Sequence, residues 1–134
     1  MKEKAINYYK QGYSCSESVI MAAIEEEMCD KSLLSVATAF SGGMSSGCLC
    51  GAVAGAQMVL GSNFGKENSC KNPESARAKA KEFIDEFKQN HKATCCKVLT
   101  AGMEFGSPER KQNCTLLVGE CSEILEKLVG EKIC

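Results

Sequence analysis

The chain has 134 residues, of which 44% are hydrophobic, and 16 Lys and Arg against 17 Asp and Glu leave a net charge of −1. This length is typical of one domain with a core of its own, and the balanced charge gives no basis for a nucleic-acid or anionic-membrane partner. No apolar run is long enough to span a bilayer, and the charged start lacks the apolar segment of a signal peptide. We expect a single cysteine-rich domain over residues 1–134, in the cytoplasm, with no nucleic-acid or membrane partner.

Helical spacing recurs along the first third of the chain, and no segment there alternates apolar and polar residues over the length of a strand. The first helix is predicted over residues 2–11. Ser14 and Glu17 form the pattern of a capping box and begin a second helix, which continues to the acidic residues 25–27. A third helix is predicted over residues 32–40.

The stretch GGMSSGCLCGAVAGAQMVL, residues 42–60, is the predicted centre of the fold. Seven of the twelve glycines lie between residues 42 and 65, and the pattern predicts a glycine-rich loop that leads into a helix. From Gly51 to Gly61 the only polar side chain is Gln57, and a helix that is apolar all round belongs in the interior. Small residues four positions apart let another helix backbone come close. We expect a buried helix that ends at Gly61.

The second half of the chain continues the helical pattern. A polar loop is predicted over residues 61–72, before a helix that begins at Pro73, a favoured first helical position, and has His91 at its C-terminal end. A short helix over residues 95–102 follows, and the signal at residues 107–109 begins the last helix. The predicted fold class is all-α: a single-domain bundle of six or seven helices around a buried Gly/Ala-rich central helix.

Ten cysteines are unusual for a chain expected in a reducing compartment. There, such thiols are typical of metal binding or redox chemistry rather than of a disulfide framework. Packing alone is the alternative for any one of them, because free Cys is among the most buried residue types. Packing does not account for all ten together.

Several cysteines lie at or near a predicted helix start: Cys15, Cys50, Cys95, Cys96 and Cys114. Cys114 opens a helix if Asn113 is the cap, but lies in the second turn if the helix begins at Pro108. Unpaired amides and the macrodipole at a helix N-terminus favour a thiolate and lower the pKa of a thiol. We therefore expect three or four of these helix starts to converge on one anionic site, which holds a bound metal, a cluster or a reactive disulfide.

Four pieces of the chain, GYSCSESV, GMSSGCLCGAVAG, CCKVLT and CTLLV, together resemble the C_GCAxxG_C_C family of redox-active proteins. The resemblance covers most of the chain, from about Tyr13 to Val129, and residues 50–55 are its most specific portion. It implies a small helical redox domain typical of anaerobes, and an iron–sulfur centre of the kind proposed for a related domain in a multi-haem cytochrome context. Carried over position by position, it selects four redox thiols or metal ligands: Cys15, Cys50, Cys96 and Cys114.

Six further cysteines depart from the family pattern: Cys29, Cys48, Cys70, Cys95, Cys121 and Cys134. Cys48 forms a C-x-C pair with Cys50, and Cys95 is adjacent to Cys96. Which member of each pair acts is therefore open, and Cys48 and Cys95 are alternative ligands.

Three functions are compatible with these residues. Four thiolates suit an iron–sulfur cluster, or zinc in its place, in an electron carrier, although no pair has the C-x-x-C spacing of common ferredoxins and zinc ribbons. Thiols at helix starts suit a metal-free thiol/disulfide oxidoreductase. Soft thiols and six Met residues suit a protein that binds copper or another heavy metal. The iron–sulfur hypothesis is the favoured one, and each redox hypothesis implies a partner protein that exchanges electrons with this chain.

Overall fold

The computed structural model describes residues 1–66 and 73–131 of the chain, where it is all-α with seven α-helices and one isolated β-bridge. The helices are α1 (Lys2–Lys10), α2 (Cys15–Glu25), α3 (Leu33–Thr38), α4 (Gly51–Phe64), α5 (Pro73–Asn90), α6 (Cys96–Leu99) and α7 (Pro108–Gly130). A five-residue turn, Gly43–Gly47, precedes α4 and is called the glycine turn below. The predicted fold class is confirmed. No helix in the described ranges is both long enough and apolar enough to cross a bilayer.

The capping box predicted for the second helix is present. The Ser14 hydroxyl accepts a hydrogen bond from the backbone N–H of Glu17, and the Glu17 carboxylate accepts one from the backbone N–H of Ser14 at 3.0 Å. The same carboxylate accepts a hydrogen bond from the Thr38 hydroxyl at 2.7 Å. The cap therefore also ties the start of α2 to the end of α3.

Helix α4 is the buried centre of the bundle, as its composition predicts. Its residues Gly51–Ala56 are buried without interruption, and it packs against α2, α5 and α7. The polar exception, Gln57, donates a hydrogen bond from Nε2 to the Ala80 carbonyl of α5 at 3.0 Å. This bond ties the half-buried Gln57 to α5, whereas its buried Oε1 atom has no hydrogen-bond partner among the described residues.

Two glycines allow α2 and α4 to approach each other closely. A Cβ atom at Gly55 would lie 2.9 Å from the Ser16 carbonyl oxygen of α2. One at Gly51 would collide with the sulfur of Cys15 and lie 2.8 Å from the carbonyl oxygen of Phe40. Side-chain atoms are excluded from this contact, because real Cβ atoms do not come so close to their neighbours. The small-residue spacing thus has the packing role predicted for it.

The prediction that the central helix ends at Gly61 is wrong. The helix continues to Phe64, so the polar stretch that begins at residue 61 is helical in its first turn. Phe64 is only 5% exposed, and Asn63 donates hydrogen bonds to the carbonyls of Met28 and Val59 at 2.9 and 2.8 Å. Tertiary contacts of these two side chains outweigh the low helix propensity of glycine. Residues 65 and 66 follow the helix without regular structure, and residues 67–72 of the predicted loop, including Cys70, lie outside the described residues, as does Cys134.

The remaining boundaries differ from prediction by smaller amounts. The short helix α6 covers Cys96–Leu99 only, and α3 covers Leu33–Thr38 rather than residues 32–40. The last helix begins at Pro108, with the Ser107 hydroxyl accepting a hydrogen bond from the backbone N–H of Arg110.

We predict opposite effects for the same substitution at two glycines of α4. Gly55→Ala should lower the free energy of unfolding by about 1–3 kcal/mol, because its methyl group meets the α2 backbone. Gly61→Ala is the matched control, because a Cβ there has no atom within 4 Å, and it should stabilise the protein by about 0.5–1 kcal/mol. Thermal and urea unfolding followed by circular dichroism measure both changes. Equal stability of the two variants would contradict the close α2–α4 contact.

Candidate functional site

One cavity, of about 950 Å³, brings four cysteines of different segments together. Cys15 opens α2, Cys50 is the N-cap of α4, Cys96 opens α6 and Cys114 lies in α7. All four line the cavity, although 99 positions separate the first from the last. The four thiols selected by the family resemblance are thus the four that share this space.

A two-stranded backbone pairing sets Cys50 and Cys96 beside each other. Leu49 and Cys95 form an isolated antiparallel bridge. On either side of it, the N–H of Cys50 donates to the Thr94 carbonyl at 2.7 Å and the N–H of Cys96 donates to the Cys48 carbonyl. Helices α4 and α6 begin immediately after the bridge, so the bridge aligns their two N-terminal thiols.

The glycine turn gives the chain room for this pairing. Gly43 has a positive φ of 65°, and a Cβ there would lie 2.7 Å from both the Cys96 Cβ and the Cys48 backbone nitrogen. Two non-glycine residues of the turn, Met44 and Ser45, also have left-handed backbone angles, with φ of 63° and 55°. Such conformations are costly outside glycine and persist only where the surrounding structure fixes them. The predicted glycine-rich loop is therefore a fixed part of the site.

The pKa of Cys50 shows two opposing effects at a helix start. The pKa is raised to about 12, chiefly by burial and to a smaller extent by the neighbouring Cys15 and Cys96, while the backbone N–H groups of Val53 and Ala52 act in the opposite direction. Cys50 is 5% exposed. The helix-terminal amides are present as predicted, but removal from water outweighs them. The expectation that a helix start lowers this pKa is wrong.

At Cys96 and Cys114 burial again has the largest effect on the thiol pKa. Burial raises the pKa of each thiol, and the positive charge of Arg110 opposes the rise at both. The Arg110 Nη2 atom lies 3.8 Å from the Cys96 sulfur. An interaction with the Tyr9 side chain also opposes the rise in the pKa of Cys114. Cys114 lies in the second turn of α7 rather than at its start, so the helix-start alternative for this residue is wrong.

The other four cysteines among the described residues do not line the cavity. Cys48 is exposed, and the half-buried Cys95 donates from its sulfur to the Gly47 carbonyl at 3.2 Å. Cys121 is fully buried in the core, and burial raises its pKa far above the ordinary value. Cys29 is half-buried, and burial raises its pKa to about 11. Neither of the alternative ligands, Cys48 or Cys95, lines the cavity.

The single histidine is also outside the site. His91 pairs through Nε2 with the Glu120 carboxylate of α7, and its ring lies 4.7 Å from that of Phe87. These contacts join the end of α5 to α7, so His91 has a structural position.

Two residues that line the cavity beside the thiols, Tyr9 and Arg110, were not identified as site residues from the sequence. A helical-wheel comparison with Cys114 could have found Arg110, because residues four positions apart lie on one face of a helix. Tyr9 had no such signal, since its contact with Cys114 depends on how α1 packs on α7.

The thiols are chemically suited to a metal, but they are not already arranged around one. Among residues 1–66 and 73–131, no three Cys, His, Asp or Glu side chains are positioned as ligands of one ion. The eight cysteines within these ranges are free thiols. Four thiolates are nonetheless the donor set of iron–sulfur clusters and of structural zinc. The donors therefore fit such a group, and side-chain rotations would have to complete its coordination.

Comparison with known proteins identifies a family to which the chain is similar. A family model described as "Putative redox-active protein (C_GCAxxG_C_C)" matches residues 13–128, which include all four cavity cysteines. No curated protein matches the chain, and no solved structure does.

We predict that Cys48 is alkylated before Cys50 in reduced, metal-free protein at pH 7. Cys48 is exposed, whereas Cys50 is buried and its pKa of about 12 leaves it protonated. Because the thiolate is the nucleophile, the rate at Cys50 should keep increasing with pH from 8 to 11. Mass spectrometry of protein partially alkylated with iodoacetamide gives both rates. A Cys50 rate that is already constant above pH 8 would contradict the raised pKa.

Proposed function

The chain belongs to the C_GCAxxG_C_C family of redox-active proteins, and from this premise we propose that its four cavity cysteines bind an iron–sulfur cluster and transfer electrons. The supporting observation is that Cys15, Cys50, Cys96 and Cys114, from four separate segments, line one cavity. Packing alone gives no reason for four thiols to share one space. When bound, the cluster supplies reversible electron exchange, and the protein holds it and shields it from water.

Burial of the thiols supports a metal partner. Cys50 and Cys96 are 5% and 8% exposed, and burial keeps thiols protonated. A cluster of thiolates without compensating cations would be strongly unfavourable in such surroundings. A metal ion removes that difficulty, because a coordinated thiol is deprotonated and its charge is neutralised by the metal.

The protein supplies polar partners to three of the four sulfurs. Amides at the start of α4 lower the pKa of Cys50, the Arg110 guanidinium lies beside Cys96, and the Tyr9 side chain interacts with Cys114. Hydrogen bonds to sulfur and nearby positive charge stabilise a negative centre and tune its reduction potential. These partners would hold the cysteine ligands in orientation and favour the reduced state of a bound cluster.

Zinc and copper are alternative occupants of the same donor set, because both bind thiolates. The proposal further includes a partner protein that exchanges electrons with this chain, and the reducing cytoplasm of an anaerobe as its setting. All ten cysteines could remain reduced in that setting.

Thiol/disulfide exchange without a metal is the second candidate. It is favoured by the observation that no three ligands are pre-arranged in the described part of the chain, while the thiols are near enough to influence one another's pKa. One protein thiolate would attack a substrate disulfide and release one substrate thiol. A second protein thiolate would attack the mixed disulfide and release the other. Two protein thiols and one substrate disulfide thus become one protein disulfide and two substrate thiols.

We predict that protein purified without oxygen contains iron and acid-labile sulfide, with a visible absorption band. Replacing any one of the four cavity cysteines with Ser should remove most of the iron, because the cluster would lose a ligand. Cys48→Ser and Cys95→Ser are matched controls, since these neighbours do not line the cavity, and they should retain it.

The metal analysis separates the alternatives. Zinc or copper found without acid-labile sulfide would show that a single metal ion, rather than a cluster, is bound. Metal-free protein that forms a disulfide between two cavity cysteines upon mild oxidation would favour thiol/disulfide exchange. Iron that is lost from Cys48→Ser but retained in Cys50→Ser would contradict the assignment of the ligands.

A further inference from the structure

The charged lining of the thiol cavity has only one sign. Besides the thiols and two tyrosines, its ionisable lining residues are four cations: Lys10, Lys97, Arg110 and Lys111. Asp and Glu are absent from its described lining, although the whole chain has one more acidic than basic residue. The cavity is therefore a local region of positive charge in a nearly neutral protein.

None of the four cations forms an ion pair with a carboxylate among the described residues. Lys4, Lys81 and Lys127, which lie elsewhere on the bundle, do so. Positive charges that converge on a concave surface without carboxylate partners attract anions from solution.

Two of the cations are held in place by specific contacts. The Arg110 guanidinium lies 5.0 Å from the ring centre of Phe105 and 3.8 Å from the sulfur of Cys96. The stem of Lys97 crosses the glycine turn at Gly47, where a Cβ would lie 2.8 Å from the Lys97 Cε atom. Arg110 thus connects the charged lining to the thiols, and Gly47 leaves room for Lys97.

The rest of the lining is suited to an organic molecule rather than to a bare ion. Ala52, Leu99 and Leu117 form apolar wall, and Phe105 is 87% exposed. An exposed aromatic ring beside a guanidinium is a surface on which a planar group can stack. A volume of about 950 Å³ also lies within the range of small-molecule sites, which are mostly apolar with a few polar groups that fix orientation.

We propose that this cavity binds a small organic anion, with its negative group against Arg110 and the lysines and its apolar part against Phe105 and the walls. Binding of this anion does not depend on the proposed function. The site is concave and the thiols line it, so a small molecule reaches them more readily than the surface of an acidic protein.

The test compares two ligands that differ in charge. Naphthalene-1-sulfonate is an aromatic anion, and naphthalene-1-sulfonamide is its neutral counterpart. Isothermal titration of anaerobically purified full-length protein should show sulfonate binding that weakens as salt is added. The sulfonamide should bind at least about tenfold more weakly, because it lacks the charge-assisted contacts.

Charge variants locate the site. Lys97→Gln and Arg110→Gln should each weaken sulfonate binding by roughly tenfold, and Arg110→Lys should recover part of the loss. Lys88→Gln is the matched control, because Lys88 is exposed on α5 and does not line the cavity. Lys97 is exposed, so its variant should fold normally even if the Arg110 variant disturbs the thiols.

Three results would overturn the proposal: equal affinity for both ligands, sulfonate binding that Lys97→Gln leaves unchanged, or binding of poly-L-glutamate without binding of the sulfonate. The last result would indicate an acidic protein partner. Metal content measured on the same sample keeps the two proposals apart. If the protein contains metal but binds the sulfonate and the sulfonamide equally, only the anion site is overturned. If the protein is metal-free but binds the sulfonate more tightly, only the cluster is overturned.

Discussion

The contact between α2 and α4 is the constraint on which the rest of the structure depends. At Gly51 and Gly55 the α4 backbone lies so close to α2 that no side chain fits between them. The contact buries the centre of the fold, and it also sets the sulfur of Cys15 directly against Gly51, one residue from Cys50. The same contact therefore packs the core and positions Cys15 in the thiol site. A larger residue at Gly51 would displace a thiol as well as a helix, so the glycine serves both the fold and the site.

At the thiols two physical effects compete, and burial is the stronger. Cys50 has the amide donors expected at a helix start, yet its pKa is raised to about 12. The reason is that the helix-terminal charge is fractional and local, whereas the loss of hydration acts on the whole thiolate charge. In the absence of metal the sulfurs of Cys50, Cys96 and Cys114 therefore favour the protonated, poorly nucleophilic form. The arrangement is better suited to a centre whose metal ions supply positive charge than to a rapidly reacting dithiol.

The sequence was informative where a signal is local. The Ser14 capping box, the apolar composition of α4 and the glycine spacing each depend on neighbouring residues, and the structure confirms them. It was uninformative where tertiary contacts decide. Phe64 extends α4 because it is buried in the core, and the pairing of Leu49 with Cys95 is too short to leave a pattern. The four cavity cysteines came from family resemblance, since no local rule connects residues 15 and 114.

Arg110 links two features of the cavity, its thiols and its positive lining. The same guanidinium lies beside Cys96 and among the cations that line the cavity. An anion bound to it would neutralise part of the charge that stabilises the thiolates. Coupling between two sites is reciprocal, so a centre that gains an electron and becomes more negative would weaken the hold on the anion. Binding and release of a charged ligand could in this way follow the redox state of the sulfurs without movement of any helix. The coupling depends only on the distances between the sulfur charge, the Arg110 guanidinium and the bound anion.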